Sequence, residues 1–320
     1  MAADSSSKIA VYAALVGNLL VAVTKGIAAA WTGSSSMLSE AVHSLVDTGN
    51  EVLLLYGMHR SSQRADAAHP LGYGRELYFW SFIVALLIFA LGAGVSIFEG
   101  IGHVRTPEPI SDAVVNYVVL ALAFVFEGAS WLVSLRQFRK AKGDLGYFEA
   151  FRRSKDPPSF MVLFEDSAAL LGIAIAAVGT FASTSLDQPV LDGVASILIG
   201  LVLAGTAVLL ARESKSLLIG ERADRALDRD IRRLVEASAV ARVNGVMTVQ
   251  LAPDQILAAL SLEFADDLRA PQIEEAVVRI EQQVRAAHPE VVRLFIKPQT
   301  PGTFRDGRRR ALEAPAPEQT

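Results

Sequence analysis

His43 and Asp47 stand four residues apart in "SEAVHSLVDTGNE" (39–51), a spacing that stacks both side chains on one helical face. An imidazole and a carboxylate so placed can coordinate one divalent ion. Glu40 and Glu51 extend the same stripe by three and four residues. Further along, "SFMVLFEDSAALLG" (159–172) sets Glu165 beside Asp166 in a run that is otherwise almost wholly apolar. An ionisable side chain at mid-bilayer costs roughly 2.5–3.5 kcal/mol on insertion scales, so such acids face a cavity, a partner or a pathway. The structural alternative is that His43, Asp47 and Asp166 are buried polar groups that bond one another and pin a helix bundle.

The elements that must position these residues are predicted to be membrane spans. The chain has 320 residues, 52% of them hydrophobic and 20% charged, with a mean hydropathy of +0.36, the profile of a membrane protein with a polar portion. It has no cysteine, which excludes disulfides and thiolate ligands. A net charge of -4 gives no argument for a nucleic-acid partner. Crossing a bilayer takes about 20 helical residues, and six apolar stretches reach that length: 9–31, 36–58, 77–102, 113–135, 158–182 and 190–211. The first lacks the basic start and small-residue cleavage site of a signal peptide and is read as a span. Arg60, Arg64, Arg75, Arg139, Lys140, Lys142, Arg152, Arg153 and Lys155 follow spans two and four, whereas only Arg105 follows spans one, three and five. Basic residues mark the cytoplasmic side, so both termini are expected there. Lys25, inside span one, is expected to snorkel to the outer boundary.

Depth brings two spans together. Taken from the outer boundary at about 1.5 Å per residue, His43 and Asp47 lie roughly 11 and 17 Å down, and Asp166, counted from the inner end of span five, lies roughly 18 Å from that boundary. Asp47 and Asp166 can therefore be level. Glu165 lies about a hundred degrees around its helix from Asp166. Its spacing leaves three roles open: the rim of the same cavity, a partner on another helix, or a proton relay. Asn18, Glu127 and Asp192, in spans one, four and six, are read as helix-helix hydrogen-bonding groups, Glu127 also as a charge partner or proton path. Ligation needs ionised carboxylates and a neutral imidazole, so metal and protons compete for such a site. If the cavity opens alternately to each side, that competition becomes exchange.

Beyond residue 212 the pattern is that of a small polar domain, 213–300, in the order helix, strand, strand, helix, strand. Ile231, Leu234 and Val235 give one helical face and Ile273, Val277, Ile280 and Val284 another. Met247, Val249 and Leu251 alternate, as do Leu260, Leu262 and Phe264, and Val291–Ile296 form the last strand. Residues 301–320, rich in Pro, Arg and Glu, are expected to be a disordered tail.

Together, "SSSMLSEAVHSLVDTGNEVLL" (34–54), "HPLGYGRE" (69–76), the acid of span five, "LDGVASILIG" (191–200) and the polar domain resemble the cation diffusion facilitator family, over residues 8 to about 298. "FEDSAALLG" (164–172) is similar to its zinc transporter 9-like branch. The resemblance implies a six-helix transmembrane bundle, residues 1–212, joined to an α+β (αββαβ, ferredoxin-like) cytoplasmic domain. It implies a homodimeric metal/proton antiporter, not an enzyme, exporting Zn²⁺ or alternatively Mn²⁺, Fe²⁺ or Co²⁺, with H⁺ as counter-ion. A bacterial inner membrane is the expected location, an organellar one the alternative. In the family, two pairs of ligands spaced four apart on spans two and five bind the metal. His43 and Asp47 match the first pair and Asp166 the acid of the second, but Val162 stands where His or Asp is usual, leaving Glu165, Glu40 or water as the fourth ligand. Asp66 and His69 match a peripheral metal position whose further His is here Tyr73, and a solvated His-Pro turn accounts for them as well. The polar domain has a single histidine, His288, so dimerisation without a dinuclear metal cluster is expected. A membrane scaffold or sensor that binds metal without transporting it is the reading from a different class; a carrier of organic cations is disfavoured, since the site lacks an aromatic cage.

Overall fold

The computed structural model describes residues 3–237 and 241–313. The chain divides into two compact units after Leu218, six residues beyond the expected boundary at 212. The last helix of the first unit runs on through the polar residues after Arg212, with Leu217 buried among its neighbours.

The first unit is all helical: α1 (Ala3–Thr32), α2 (Ser35–Ser61), α3 (Glu76–Leu87), a π-helical turn (Ile88–Ala93) that carries α3 into α4 (Gly94–Arg105), α5 (Ala113–Lys142), the short α6 (Tyr147–Arg153), α7 (Pro157–Ser185) and α8 (Val190–Ile219). Among the described residues, four helical segments are long and apolar enough to cross a membrane: Glu76–Arg105, Ala113–Lys140, Pro157–Ser185 and Val190–Ile219. The sequence reading expects six. The helix α2 has the length, 27 residues, but Glu40, Asp47 and Glu51 depress its apolar character. The outward faces carry Phe98, Val125, Phe126, Val178 and Phe181, all exposed, the surface expected of a bundle solvated by hydrocarbon.

Small residues set the closest helix contacts. A Cβ on Gly100 of α4 would lie 2.7 Å from the Gly193 carbonyl oxygen of α8, and one on Gly200 would lie 3.1 Å from the Ala93 carbonyl oxygen. Ser196 donates to the Ser96 carbonyl at 2.8 Å, and its hydroxyl meets that of Ser39 at 2.6 Å, so α8 is bonded to both α4 and α2. The Asp192 carboxylate, fully buried, accepts from the Ser34 hydroxyl at 3.0 Å, from the Ser36 N–H at 3.2 Å and from the Ser35 N–H. These are orphan donors of the α2 N-terminus, where negative charge is favoured, so an acid from α8 fixes the start of the helix that carries His43 and Asp47.

The second unit contains α9 (Arg225–Ala237), β1 (Ala241–Ala252), β2 (Gln255–Phe264), α10 (Ala270–Ala287), β3 (Val291–Pro298) and α11 (Pro301–Glu313). The sheet order is β1-β2-β3, with β1 antiparallel and β3 parallel to β2. Ile256, Ala258, Leu260 and Leu262 of β2 pack with Leu227, Ile231 and Val235 of α9 and Ile280 and Val284 of α10. In β1 the alternation marks the strand, but the inward face differs from the apolar residues: Thr248 and Gln250 are buried and Met247 is exposed. The segment before α9 runs against β1, with Gln250 N–H donating to the Glu221 carbonyl at 2.8 Å; the polar face is satisfied by Ala223 N–H donating to Thr248 Oγ1 at 3.1 Å and by Gln250 Nε2 donating to the Ala252 carbonyl at 2.6 Å.

The expected disordered tail is a helix over Pro301–Glu313; residues 314–320 lie outside the described ones. Thr300 starts it, its hydroxyl accepting from Thr303 N–H at 3.3 Å, Pro301 supplies a helical φ, and the Phe304 ring packs onto Gly245 of β1. Arg308, Arg309 and Arg310 therefore lie, exposed, on this helix and not in a disordered tail.

The contact between α4 and α8 has a direct test. Gly100→Val is expected to destabilise the first unit by about 1–3 kcal/mol through overpacking. Gly102→Ala, with open space around its Cα, is expected to be neutral or stabilising. Thermal unfolding of the two variants in detergent measures the difference.

Candidate metal centre

His43 follows α2 inward from its capped start and is almost fully buried at 1% exposure. Its Nδ1 lies 3.4 Å from Asp47 Oδ1, one turn further on. Neither ring nitrogen of His43, nor Asp47 Oδ1, has a hydrogen-bond partner. Beyond Asp47 lies a small cavity of about 20 Å³, room for about one water. Asn18 of α1, Ser44, Asp47 and Glu51 of α2, Glu127 of α5, and Val162, Glu165 and Asp166 of α7 line it. Helical geometry explains the assembly: Asp47 and Glu51 are four apart on one helix, and Val162 and Asp166 four apart on the other.

The structure thus brings Asp47, Glu165 and Asp166 to one cavity, with Glu127 and Glu51 beside them. His43 touches Asp47 but is not among the lining residues. Among the described residues, no three His, Cys, Asp or Glu side chains are gathered closely enough to hold one ion together. Neutral donors hold the acids individually. Asn50 Nδ2 donates to Glu165 Oε1 at 3.0 Å, the Ser130 and Ser134 hydroxyls both donate to Asp166 Oδ2 at 3.1 Å, and Asn18 Nδ2 donates to Glu51 Oε1 at 2.7 Å. Trp131 Nε1, donating to Ser167 Oγ at 2.9 Å, braces α5 against α7 beside them.

Two expectations are corrected. Lys25 does not snorkel: it is fully buried and its Nζ donates to Glu40 Oε2 at 3.0 Å and Ser44 Oγ at 2.7 Å, with Glu127 Oε1 at 4.0 Å. A buried ammonium needs such a counter-charge, and Glu40 supplies it one helix away. Glu40, the alternative fourth ligand, is thereby held by Lys25 and does not line the cavity. Asn50, Ser130 and Ser134 were available to sequence reading, since Asn50 precedes Glu51 and the two serines repeat the four-residue spacing of His43 and Asp47. Hydroxyls and amides are common in spans as helix-helix hydrogen-bonding groups, so spacing alone does not mark one as part of a site.

The peripheral pair lies in the loop before α3. His69 Nδ1 is 3.5 Å from Asp66 Oδ1, and Asp66 also accepts from the Tyr73 hydroxyl at 2.7 Å and the His69 N–H at 2.6 Å. The tyrosine and the backbone donor hold the Asp66 carboxyl below its ordinary value of 3.8, and the Asp66 carboxylate that accepts its proton pushes the Tyr73 phenol up. His288, at the end of α10, has its Nδ1 3.1 Å from Glu290 Oε1.

The match of residues 11–219 to the cation efflux transmembrane domain settles the class: the chain belongs to the cation efflux, or cation diffusion facilitator, family. It is an integral, multi-pass membrane protein, and the members of its family are cation transporters, not enzymes. It is 36% identical over 236 residues to Metal tolerance protein C4 of Arabidopsis thaliana, covering 73% of this chain and 51% of that protein. To the Proton-coupled zinc antiporter SLC30A9, mitochondrial, of Homo sapiens it is 36% identical over 199 residues, covering 61% of this chain and 35% of that protein. To the Cation-efflux pump FieF of Escherichia fergusonii it is 25% identical over 291 residues, covering 85% and 88%. The chain therefore spans about half the length of the plant relative and about a third of the human one.

The loop geometry sets a pH expectation. Asp66 has a lowered folded-state pKa, so what its turn contributes to loop order is present above 3.8 and is lost as pH falls through the lowered value. Tyr73→Phe removes the larger cause, and a carboxyl-carbon NMR titration is expected to find Asp66 moved back up toward its ordinary midpoint.

Proposed function

We propose that this protein exports a divalent metal ion, Zn²⁺ in first place, from the cytoplasm in exchange for protons. The observation that carries the reading is the single cavity onto which Asp47 of α2 and Glu165 and Asp166 of α7 all open, with His43 against Asp47. In this reading His43, Asp47 and Asp166 are ligands and Glu165 is the fourth, because Val162 has no donor and Glu40 is held by Lys25. An imidazole with two or three oxygens suits Zn²⁺ and also admits Mn²⁺, Fe²⁺ or Co²⁺. The amide and hydroxyls of Asn50, Ser130 and Ser134 occupy the carboxylates when metal does not, and the incoming ion replaces them. Protons compete with the metal for the same oxygens and imidazole, and Glu127, on the cavity wall beside Lys25, offers them a way in. The name of the human relative, a proton-coupled zinc antiporter, points the same way.

The same reading places α1 and α2 as two further spans, six in all. At about 1.5 Å per residue, α2 alone measures roughly 40 Å against a hydrocarbon core of about 30 Å. Both termini and the ferredoxin-like second unit then face the cytoplasm, on the side rich in Arg and Lys, with a bacterial inner membrane as the location. We place the protein as a homodimer. Met247, Ala259 and Phe295 are aligned in register across the three strands, and Met247 and Phe295 are exposed, an apolar row that a second copy would cover.

Proteoliposomes with an opposing pH gradient test transport. Asp47→Ala is expected to reduce Zn²⁺ flux to that of empty vesicles, Asn50→Ala to tighten metal binding by up to about tenfold because the ion no longer has to displace a hydrogen bond worth about 0.5–1.5 kcal/mol, and Val162→His to tighten Zn²⁺ binding. Metal binding by the wild type without flux of any of the four ions would instead establish a scaffold or sensor. For the dimer, Met247→Glu with Phe295→Glu is expected to shift the full chain toward monomer in sedimentation equilibrium.

A further inference from the structure

We propose that Lys25 is a resident cation of the transport site, a specificity-determining residue that weakens the hold on the metal so that it can be released; this rests on the exporter reading above. Lysine is almost never fully buried, yet Lys25 is, on the helix that gives the cavity Asn18. Its ammonium has three donors: one goes to Glu40, one to Ser44, and Glu127 lies 4.0 Å away. Ser44 and Glu127 both line the cavity, whereas Glu40 does not.

The pair is therefore oriented. Its positive end stands on the cavity side and its negative end is wedged on the far side, where the Glu40 carboxylate lies directly against Gly172 of α7. Any side chain at residue 172 would occupy the space of that carboxylate, and Glu40 Oε1 has no hydrogen-bond partner that would draw it elsewhere. With Glu40 so confined, Lys25 cannot leave its place directly behind Ser44 and Glu127 of the cavity wall without abandoning its counter-charge. An arriving divalent ion meets an ammonium it must tolerate and a Glu127 whose charge is already shared. Five acids, Asp47, Glu51, Glu127, Glu165 and Asp166, around so small a cavity would otherwise bind a doubly charged ion too firmly to let it go. A carrier needs the opposite balance: enough attraction for capture, too little for retention.

The test removes the pair as a unit in the full chain. In Lys25→Met/Glu40→Gln both charges go and side-chain volume is nearly kept, a replacement of a buried ion pair that is commonly neutral or stabilising. Zn²⁺ titration of the detergent-purified protein is expected to give a Kd lowered by about tenfold or more, with proteoliposome turnover at saturating Zn²⁺ lowered by about the same factor. Tighter binding with slower turnover distinguishes this role from structural damage, which would weaken both. Lys25→Gln/Glu40→Gln, whose two amides can bond each other, gives the same readout should the first variant lose its fold. A folded variant with unchanged or weaker Zn²⁺ binding, or with unchanged turnover, overturns the proposal while leaving the exporter reading intact. A wild type that binds none of Zn²⁺, Mn²⁺, Fe²⁺ and Co²⁺ overturns the exporter reading and this proposal with it.

Discussion

Where no water can solvate it, a carboxylate must find a donor inside the protein, and the first unit is organised around that requirement. Glu40 has Lys25, Glu51 has Asn18, Glu165 has Asn50, Asp166 has two serines, and Asp192 has the start of α2. Each of these bonds joins two helices, so satisfying the acids also fixes how the helices stand. His43 and Asp47 differ: they face one another across one turn of α2, with no other partner at the atoms that meet.

The distinction among donors carries the chemistry. Hydrogen bonds from neutral amides and hydroxyls are worth about 0.5–1.5 kcal/mol net, so those at Glu165 and Asp166 can be exchanged for a stronger bond to a cation at small loss. The ion pair of Lys25 with Glu40 is of another order. Removing one partner of a buried pair costs about 3–5 kcal/mol, which makes it a fixture and not a placeholder. Glu51, Glu165 and Asp166, which open on the cavity, are thus held by neutral donors, whereas Glu40, which does not, is held by a charge. Val162 completes the division: where a ligand could stand there is an apolar wall, and its neighbour Glu165 opens on the cavity three residues further along the helix.

Much of this was legible because periodicity and burial speak the same language. The four-residue spacing of His43 and Asp47, the level placement of Asp166 and the αββαβ order all follow from helical and strand repeats, and the structure has Asp47 and Asp166 on one cavity and the strands in that order. Lys25 was illegible because a lone charge near a span end reads as snorkelling; its partner is 15 residues away across a turn, and only packing brings them together. The inward face of β1 escaped because of a register shift between Val243 and Gly245 and because the bonds of Thr248 Oγ1 to Ala223 N–H and of Gln250 Nε2 to the Ala252 carbonyl allow those side chains to be buried in place of Met247. The helix α11 did announce itself, in Thr300 followed by Pro301, but composition rich in Arg and Pro outweighed the local start signal.

The same acids account for the low apolarity of α2. Hydropathy treats each helix as though lipid surrounded it, so every charge counts against a span. In α2 the charges do not face lipid: Glu40 is buried against Lys25 and Gly172, His43 against Asp47, and Glu51 against Asn18. Its apolar deficit is made up by α1, α5 and α7, which present the partners and are themselves apolar outward. A helix that handles ions is therefore the one that composition is least able to recognise as a span, and it is recognised instead by what its neighbours offer. In the six-span arrangement proposed above α2 is recognised in that way, by the partners that α1, α5 and α7 present to its polar stripe.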